Sequence, residues 1–283
     1  MTVVRHLCAV LSAAFAAAAC AVTPSEITVG LALDSLDYVS GENVGAVVSI
    51  VNVSPDTLSA GRANSPDRFF VEVFRSSDMS QLQRVSDLQF VAPFTLKPNE
   101  AQKLAVRLAN HYGLRSPGRY MAKPVLVHGE TRYEGQMRVF AIVPGMGVTK
   151  ALQIFSNRDG LKREFSLVSW SRGGREHLFL TARDLAGDDA QDSRHWQTVD
   201  LGEMMKITRP TISVMPGGEV VVLHRIDPDN FVRSEFWSVP DGIEFHRREL
   251  VQDPETAGSQ RVREMYLESG GIKPKENPWW KFW

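Results

Sequence analysis

The sequence predicts a mostly β protein with a β-sandwich, a second antiparallel β domain, a short C-terminal helix and an aromatic tail. Short stretches of alternating apolar and polar residues recur over residues 22–145, and turn residues separate them. Residues 146–250 contain three more pairs of apolar runs, and each pair is joined by a turn that ends in glycine. The chain is 43% hydrophobic and 23% charged, which is typical of a folded domain.

Residues 1–21 predict a secretory signal peptide. They carry Arg5 and then an alanine-rich apolar run that ends in small residues. Ala19, Cys20 and Ala21 fit an A-x-A cleavage site, and we therefore expect an exported protein, periplasmic or extracellular. A second interpretation stays open, because the same stretch also fits a lipoprotein signal in which Cys20 is acylated and anchors the protein to a membrane.

Cysteine usage and charge narrow the classes of function. Both cysteines, Cys8 and Cys20, lie in the signal segment, so a conventionally cleaved product has no disulfide and no thiol nucleophile. The formal net charge is −1 and no long basic run occurs, which argues against nucleic-acid binding. No apolar run of about 18 residues follows the signal, so no transmembrane span is predicted.

Residues 22–145 predict seven or so short strands, as in a β-sandwich. Stretches such as "ITVGLALD", "VGAVVSIVNVS" and "RFFVEVFRS" alternate or are rich in β-formers, and Gly, Pro, Asn and Asp occupy the turns between them. We expect the core of this domain to lie between two sheets that such strands form.

Three of these stretches carry a resemblance to a known family. "YVSGENVGAVVSIVNVSPDT", "FTLKPNE" and "LRSPGRYMAKPVLV" are similar to the immunoglobulin-like modules of bacterial secreted proteins, in particular the BsuPI-type proteinase-inhibitor fold. The shared layout has Asn52 and Ser54 at the end of an early strand, a Pro-Asn-Glu turn, and a Gly-x-Tyr that enters a late strand. The resemblance covers under half of the chain. It implies an immunoglobulin-like sandwich in which Tyr120 has a buried ring and a hydroxyl bonded to nearby backbone. No inhibitory loop is found, so protease inhibition stays a minor alternative.

Residues 146–250 predict an antiparallel meander or small barrel of hairpins. Its three turns end in glycine, which accepts the positive φ of a tight hairpin: Arg172-Gly173-Gly174, Pro216-Gly217-Gly218 and Pro240-Asp241-Gly242. The repetition is similar to that of propeller blades. The stretch is too short for a closed propeller, which needs at least four blades.

Residues 251–283 predict a helix and then an aromatic tail. Asp253-Pro254-Glu255 is a typical helix start, and Gly270-Gly271 a typical end. The tail ends in "NPWWKFW", with Trp279, Trp280, Phe282 and Trp283. Four buried aromatic side chains remove roughly 600–1,000 Å² from water. We therefore expect the tail to dock on the chain's own β domains, on another envelope protein or a second copy, or at a membrane interface.

Candidate residues for chemistry are few. His177, His224 and His246 fall one in each hairpin and would form a zinc site if their rings converged. The alternative is that each is a half-buried strand residue with a local hydrogen bond, and we favour it because no close H-x-H pair occurs. Trp170, Trp196 and Trp237 are candidates for stacking on sugar rings. We predict no cofactor.

The sequence thus predicts a non-catalytic exported protein of binding or assembly, with partners held through the C-terminal tail. The alternative is a carbohydrate-binding or hydrolytic protein that uses the second β domain. Enzyme activity is the less expected class, because no catalytic or cofactor motif occurs after the signal segment.

Overall fold

A computed structural model describes residues 26–155, 162–185 and 196–252 of the 283-residue chain. The predicted signal segment with Cys20, the C-terminal helix and the aromatic tail (Trp279, Trp280, Phe282 and Trp283) lie outside these residues. Most of the described residues are in β-strands, as the sequence predicts.

The strands of residues 26–143, here the N-terminal unit, are short and separated by turns. They are β1 (Ile27–Leu33), β2 (Asp37–Val39), β3 (Gly45–Asn52), β4 (Leu58–Ala60), β5 (Arg68–Arg75), β6 (Phe94–Leu96), β7 (Glu100–Arg107), β8 (Gly118–His128), β9 (Thr131–Glu134) and β10 (Arg138–Val143). A turn of 3₁₀ helix spans Leu108–Asn110.

Two sheets of the N-terminal unit share one apolar core. The first has the order β1-β3-β7, and the second the order β2-β10-β8-β5, with β9 paired to β8; β4 and β6 form a small separate pair. All these pairings are antiparallel except β2 with β10, which is parallel. Along β3 the buried side chains alternate with more exposed ones, as period-2 patterning requires. The buried face includes Val48 and Ile50.

Tyr120 and Asn52 occupy the positions that the sequence singles out. The Tyr120 ring is buried, its centroid lies 5.6 Å from that of Phe140, and its hydroxyl donates to the Ser116 carbonyl at 2.7 Å. The predicted local bond of Tyr120 is thus confirmed. Asn52 is buried and its amide donates to the Asp56 carbonyl at 2.9 Å, so it fixes the turn that follows β3.

The remaining strands belong to residues 146–155, 162–185 and 196–252, here the C-terminal unit. They are β11 (Met146–Ile154), β12 (Lys162–Arg172), β13 (Arg175–Leu185), β14 (Trp196–Glu203), β15 (Thr211–Val214), β16 (Glu219–Arg225), β17 (Asn230–Val239) and β18 (Gly242–Gln252). They form two four-stranded antiparallel sheets, ordered β11-β12-β13-β14 and β15-β16-β17-β18. The inner faces of the two sheets enclose a second apolar core around Phe165, Leu180 and Phe236.

The three predicted hairpins of the C-terminal unit are all present: β12–β13, β15–β16 and β17–β18. In the first, Gly173 and Gly174 have φ of +59° and +81°, and no other residue approaches the position of an added Cβ within 4 Å. Turn chemistry therefore located these hairpins correctly.

A buried arginine joins the two sheets of the C-terminal unit. Arg163 on β12 is fully buried and forms a bidentate ion pair with Asp184 on β13, at 2.5 and 3.1 Å. The same guanidinium donates to the carbonyls of Val239 and Gly242 at 2.6 Å, at the β17–β18 turn. The guanidinium of Arg163 and the carboxylate of Asp184 therefore both have partners, which is what burial of an ion pair requires.

Candidate functional site at the junction of the two units

The outer face of the β11–β14 sheet carries polar side chains in register. In this sheet, alternate side chains of each strand pack into the core of the C-terminal unit. The side chains between them lie on the outer face, where those of neighbouring strands form rows across the sheet. Three of these rows are Glu164–Arg183–Trp196, Ser166–Thr181–Thr198 and Val168–Phe179–Asp200. The N-terminal unit covers part of this face.

The two units meet at a turn after β2. The hydroxyl of Thr198 donates to the Ser40 carbonyl at 2.7 Å, and its amide donates to the Gly41 carbonyl at 2.9 Å. Gly41 has φ of +83°, and a Cβ added there would lie 2.3 Å from Cδ1 of Trp196. Only glycine allows this close approach, so the backbone of one unit is fitted against the side chains of the other.

Arg172, at the end of β12, forms the strongest polar link between the units. Its guanidinium donates to the two carboxylate oxygens of Glu42 at 2.7 and 3.0 Å, and to Asp200 at 2.9 Å. It also lies over the ring of Phe179, 5.0 Å from the centroid. Burial opposes its charge, but the bond to Glu42 and the charges of Glu42 and Asp200 outweigh burial and raise the pKa of Arg172. We call this set of contacts the Arg172 clamp.

Beside the Arg172 clamp lies a groove of about 440 Å³ between the units, here the junction groove. Its walls come from Ser40 in the turn after β2, from Pro144 between the units, and from β11, β12, β13 and the start of β14. The lining residues are Ser40, Pro144, Gly147, Val148, Thr149, Lys150, Glu164, Ser166, Leu167, Val168, Thr181, Arg183 and Trp196. Its size falls in the range of small-molecule sites, which occur often at domain interfaces.

One carboxylate and two cations line the junction groove. Glu164 lies 3.1 Å from the ammonium of Lys150 and 3.1 Å from the guanidinium of Arg183, and it accepts a hydrogen bond from Ser166 at 3.3 Å. Arg183 also lies 5.5 Å from the ring centroid of Trp196. The lining therefore has a net charge of +1, and the Lys150 side chain, 63% exposed, is free to turn toward a ligand.

The structure places the three candidate histidines in different surroundings. His177 lies on the outer face of β13, 3.1 Å from Asp200, and the His246 ring on β18 lies 5.6 Å from the Trp237 ring. His224 on β16 is buried. Burial, and then the charge of Arg248, lower the pKa of His224 to about 4. In the described ranges no three His, Cys, Asp or Glu side chains come together as metal ligands.

The three candidate tryptophans do not form one platform. Trp196 lines the junction groove, whereas Trp170 lies further along the same sheet face, beside His177. Trp237 is on the other sheet of the C-terminal unit and is 41% exposed. Only Trp196 of these three is placed to contact a ligand in the groove.

The sequence did not single out the charged groups of the groove. The alternation of Glu164 and Ser166 with Phe165 and Leu167 along β12 does indicate a polar sheet face. Which residues of β11, β13 and β14 lie beside them depends on strand register, and the contact with Ser40 joins segments more than a hundred residues apart. Local pattern contains no signal for that contact.

Comparisons with known proteins yield little. No protein-family model matches the chain, and no curated protein matches it. Among solved structures, it is similar to Spo0M, a sporulation control protein from Bacillus subtilis, with a TM-score of 0.31 and 10% identity over 87% of this chain and 98% of that one. A likeness at this TM-score carries no argument. Within the described residues, no helix has the length and apolar character that crossing a membrane requires.

Proposed function

We propose that the chain is an exported, non-catalytic binding protein that holds its ligand in the junction groove. The observation that carries the proposal is that Ser40 of the N-terminal unit, the linker residue Pro144 and four strands of the C-terminal unit together line one groove beside the Arg172 clamp. A clamp of charged hydrogen bonds keeps the walls at a fixed separation, and such preorganisation reduces the cost of ordering on binding.

The finer assignment of the N-terminal unit is part of this proposal. We propose that it is an immunoglobulin-like sandwich of the BsuPI type. Its two sheets around one core and the bond from Tyr120 to Ser116 support that assignment. Export is proposed from the signal pattern of residues 1–21, with anchoring through Cys20 as the alternative.

The aromatic tail is proposed as a second contact, with another envelope protein or a second copy. Trp279, Trp280, Phe282 and Trp283 are of the residue types that anchor protein interfaces. Docking on the chain's own units and contact with a membrane surface are the alternatives.

Carbohydrate binding is a second candidate function, and one observation favours it. Trp196 lines the junction groove together with serine and threonine hydroxyls, and aromatic rings beside hydroxyl groups suit the apolar faces and polar edges of sugars.

Two variants test the proposed function against wild type. Ser166→Trp fills the floor of the junction groove, and deletion of residues 277–283 removes the tail. Each immobilised protein is incubated with an envelope fraction, and the bound proteins and sugars are quantified by mass spectrometry and sugar analysis. We expect Ser166→Trp to lose a ligand that wild type retains, and the tail deletion to lose a second one. If Ser166→Trp folds, by circular dichroism, and retains everything that wild type binds, the groove proposal is wrong; the same result for the tail deletion makes the proposed second contact wrong.

A further inference from the structure

The charges of the junction groove favour an anionic ligand group. Two cations, Lys150 and Arg183, share the single carboxylate of Glu164. Lys162 lies beside Glu164 on the same sheet face, two residues earlier on β12, and adds a third positive charge near the groove. Rotation of the Lys150 and Arg183 side chains would bring both cations to a carboxylate on the ligand. Paired guanidinium–carboxylate bonds are among the stronger polar contacts.

The groove also favours a ligand that carries hydrogen-bond donors. Glu164 faces the groove, and its carboxylate offers more lone-pair sites for accepting hydrogen bonds than its three observed contacts use. A fully ionised anion such as sulfate carries no hydrogen-bond donor for this carboxylate. A ligand that bears hydroxyl groups beside its anion satisfies Glu164 and the cations at once.

The remaining lining suits a ring with hydroxyl groups. Ser166 and Thr181 lie on the groove floor, where their hydroxyls donate to Glu164 and Thr198 and keep acceptor capacity for ligand hydroxyls, and Trp196 lies beside Arg183. Gly147 has open space where a Cβ would stand, so the β11 side of the groove is unobstructed. Apolar contact with an aromatic ring and hydrogen bonds at the edges are the usual features of a sugar site.

We propose that the junction groove binds an acidic sugar residue, that is, a sugar ring that carries a carboxylate. Lys150 and Arg183 bind the carboxylate, Glu164 accepts hydrogen bonds from ring hydroxyls, and Trp196 contacts an apolar edge of the ring. The inference rests on the proposed binding function and specifies its ligand class.

Affinity electrophoresis of the full mature chain tests the inference. Native gels are cast with polygalacturonate, with neutral dextran or with dextran sulfate, and retardation is converted to a dissociation constant. We expect polygalacturonate to retard the wild-type protein more than either other polymer. Arg183→Gln should weaken this binding at least about tenfold, because a charged hydrogen bond is lost. The matched control, Lys103→Gln on the exposed face of β7, makes the same charge change away from the groove and should bind as wild type does.

Glu164→Ala separates a sugar acid from a simple anion. The substitution makes the groove more positive, so a ligand held by charge alone would bind more tightly. A sugar acid loses its hydroxyl acceptor, and we expect weaker binding to polygalacturonate. Tighter binding by Glu164→Ala, or equal retardation in dextran sulfate, would overturn the inference.

The inference and the proposed function fail in different ways. If polygalacturonate does not retard the wild-type protein but Ser166→Trp still loses a captured protein, the sugar-acid inference is wrong and the binding function stands. If neutral dextran binds as well as polygalacturonate, the ligand is a sugar without the predicted charge, and the inference is again wrong.

Discussion

Gly41 meets two requirements at once, a left-handed backbone and a close approach to Trp196. Gly41→Ala places a Cβ at φ of +83° and 2.3 Å from Cδ1 of Trp196. We expect it to lower the free energy of unfolding by about 2–5 kcal/mol, the sum of the costs of a left-handed backbone and of overpacking at the junction. Gly129→Ala is the control, because Gly129 has φ of +57° with no neighbour within 4 Å, and should lose only about 1–2 kcal/mol. Urea denaturation measures both, and equal losses would contradict the close approach.

His224 makes stability depend on pH. Its pKa falls from 6.5 to about 4 on folding, through burial and then the charge of Arg248. The folded state therefore holds the ring neutral. The stability that depends on a neutral His224 ring is fully present above pH 6.5. It is lost as pH falls from 6.5 toward 4, because the unfolded chain takes up the proton first. Between pH 8 and pH 5 this amounts to on the order of 2 kcal/mol.

Urea denaturation at pH 8 and pH 5 tests this dependence. In His224→Leu the loss of stability on acidification should be smaller than in wild type by about that amount. His246→Leu, which removes an exposed histidine, is the matched control. If His224→Leu and wild type lose the same stability between pH 8 and pH 5, His224 does not carry the effect.

At the scale of elements, sequence predicts what is local. The hairpin turns at Gly173-Gly174, Gly218 and Gly242 were predicted because their backbone conformation depends on the residues of the turn itself. The parallel pairing of β2 with β10 was not predicted, since Val39 and Val143 are more than a hundred residues apart. Neither stretch contains a local signal for pairing with the other. Whether His177, His224 and His246 converge could not be predicted either, because residue type alone does not show which face of a strand packs against the other sheet.

The β12–β13 turn allows a stabilising substitution. Gly173→Asn produces an Asn-Gly turn, and Asn tolerates φ of +59° where no atom lies within 4 Å. We expect a gain of about 0.4–1 kcal/mol in the free energy of unfolding, because the unfolded chain loses conformational freedom. Gly145→Asn, also at positive φ, would place its Cβ 3.2 Å from Val168, and we expect no gain there. Thermal and urea unfolding of the two variants decide the point.

At the scale of the whole molecule, two β units with separate cores are joined by the Arg172 clamp and by the contacts of Thr198 and Trp196 with the turn after β2. The composition and strand pattern predicted the mostly β class and the hairpins of the second unit. The junction groove was not predicted, because it exists only once Ser40 meets Thr198 and Glu42 meets Arg172. Contacts between units therefore determine the site, while contacts within units determine the fold.

The Arg172 clamp makes the two units depend on each other. Its side chains are largely shielded, with 22% of Arg172 and 13% of Glu42 exposed, so water weakens the pair little. A double-mutant cycle of Arg172→Gln and Glu42→Gln should give a coupling free energy of about 1.5–3 kcal/mol. The exposed pair of Arg175 and Glu203, at 70% and 51%, is the control and should couple by less than about 1 kcal/mol.

Loss of the clamp should also divide the thermal unfolding transition. With Arg172 in place, unfolding of either unit removes contacts of the other, so we expect a single calorimetric transition or two that overlap. In Arg172→Gln the N-terminal and C-terminal units should unfold in transitions that lie further apart, because each retains its own core while the bridge to Glu42 and Asp200 is gone. Unchanged separation together with a negligible coupling energy would mean that Arg172 does not couple the units, and that the groove keeps its shape without it.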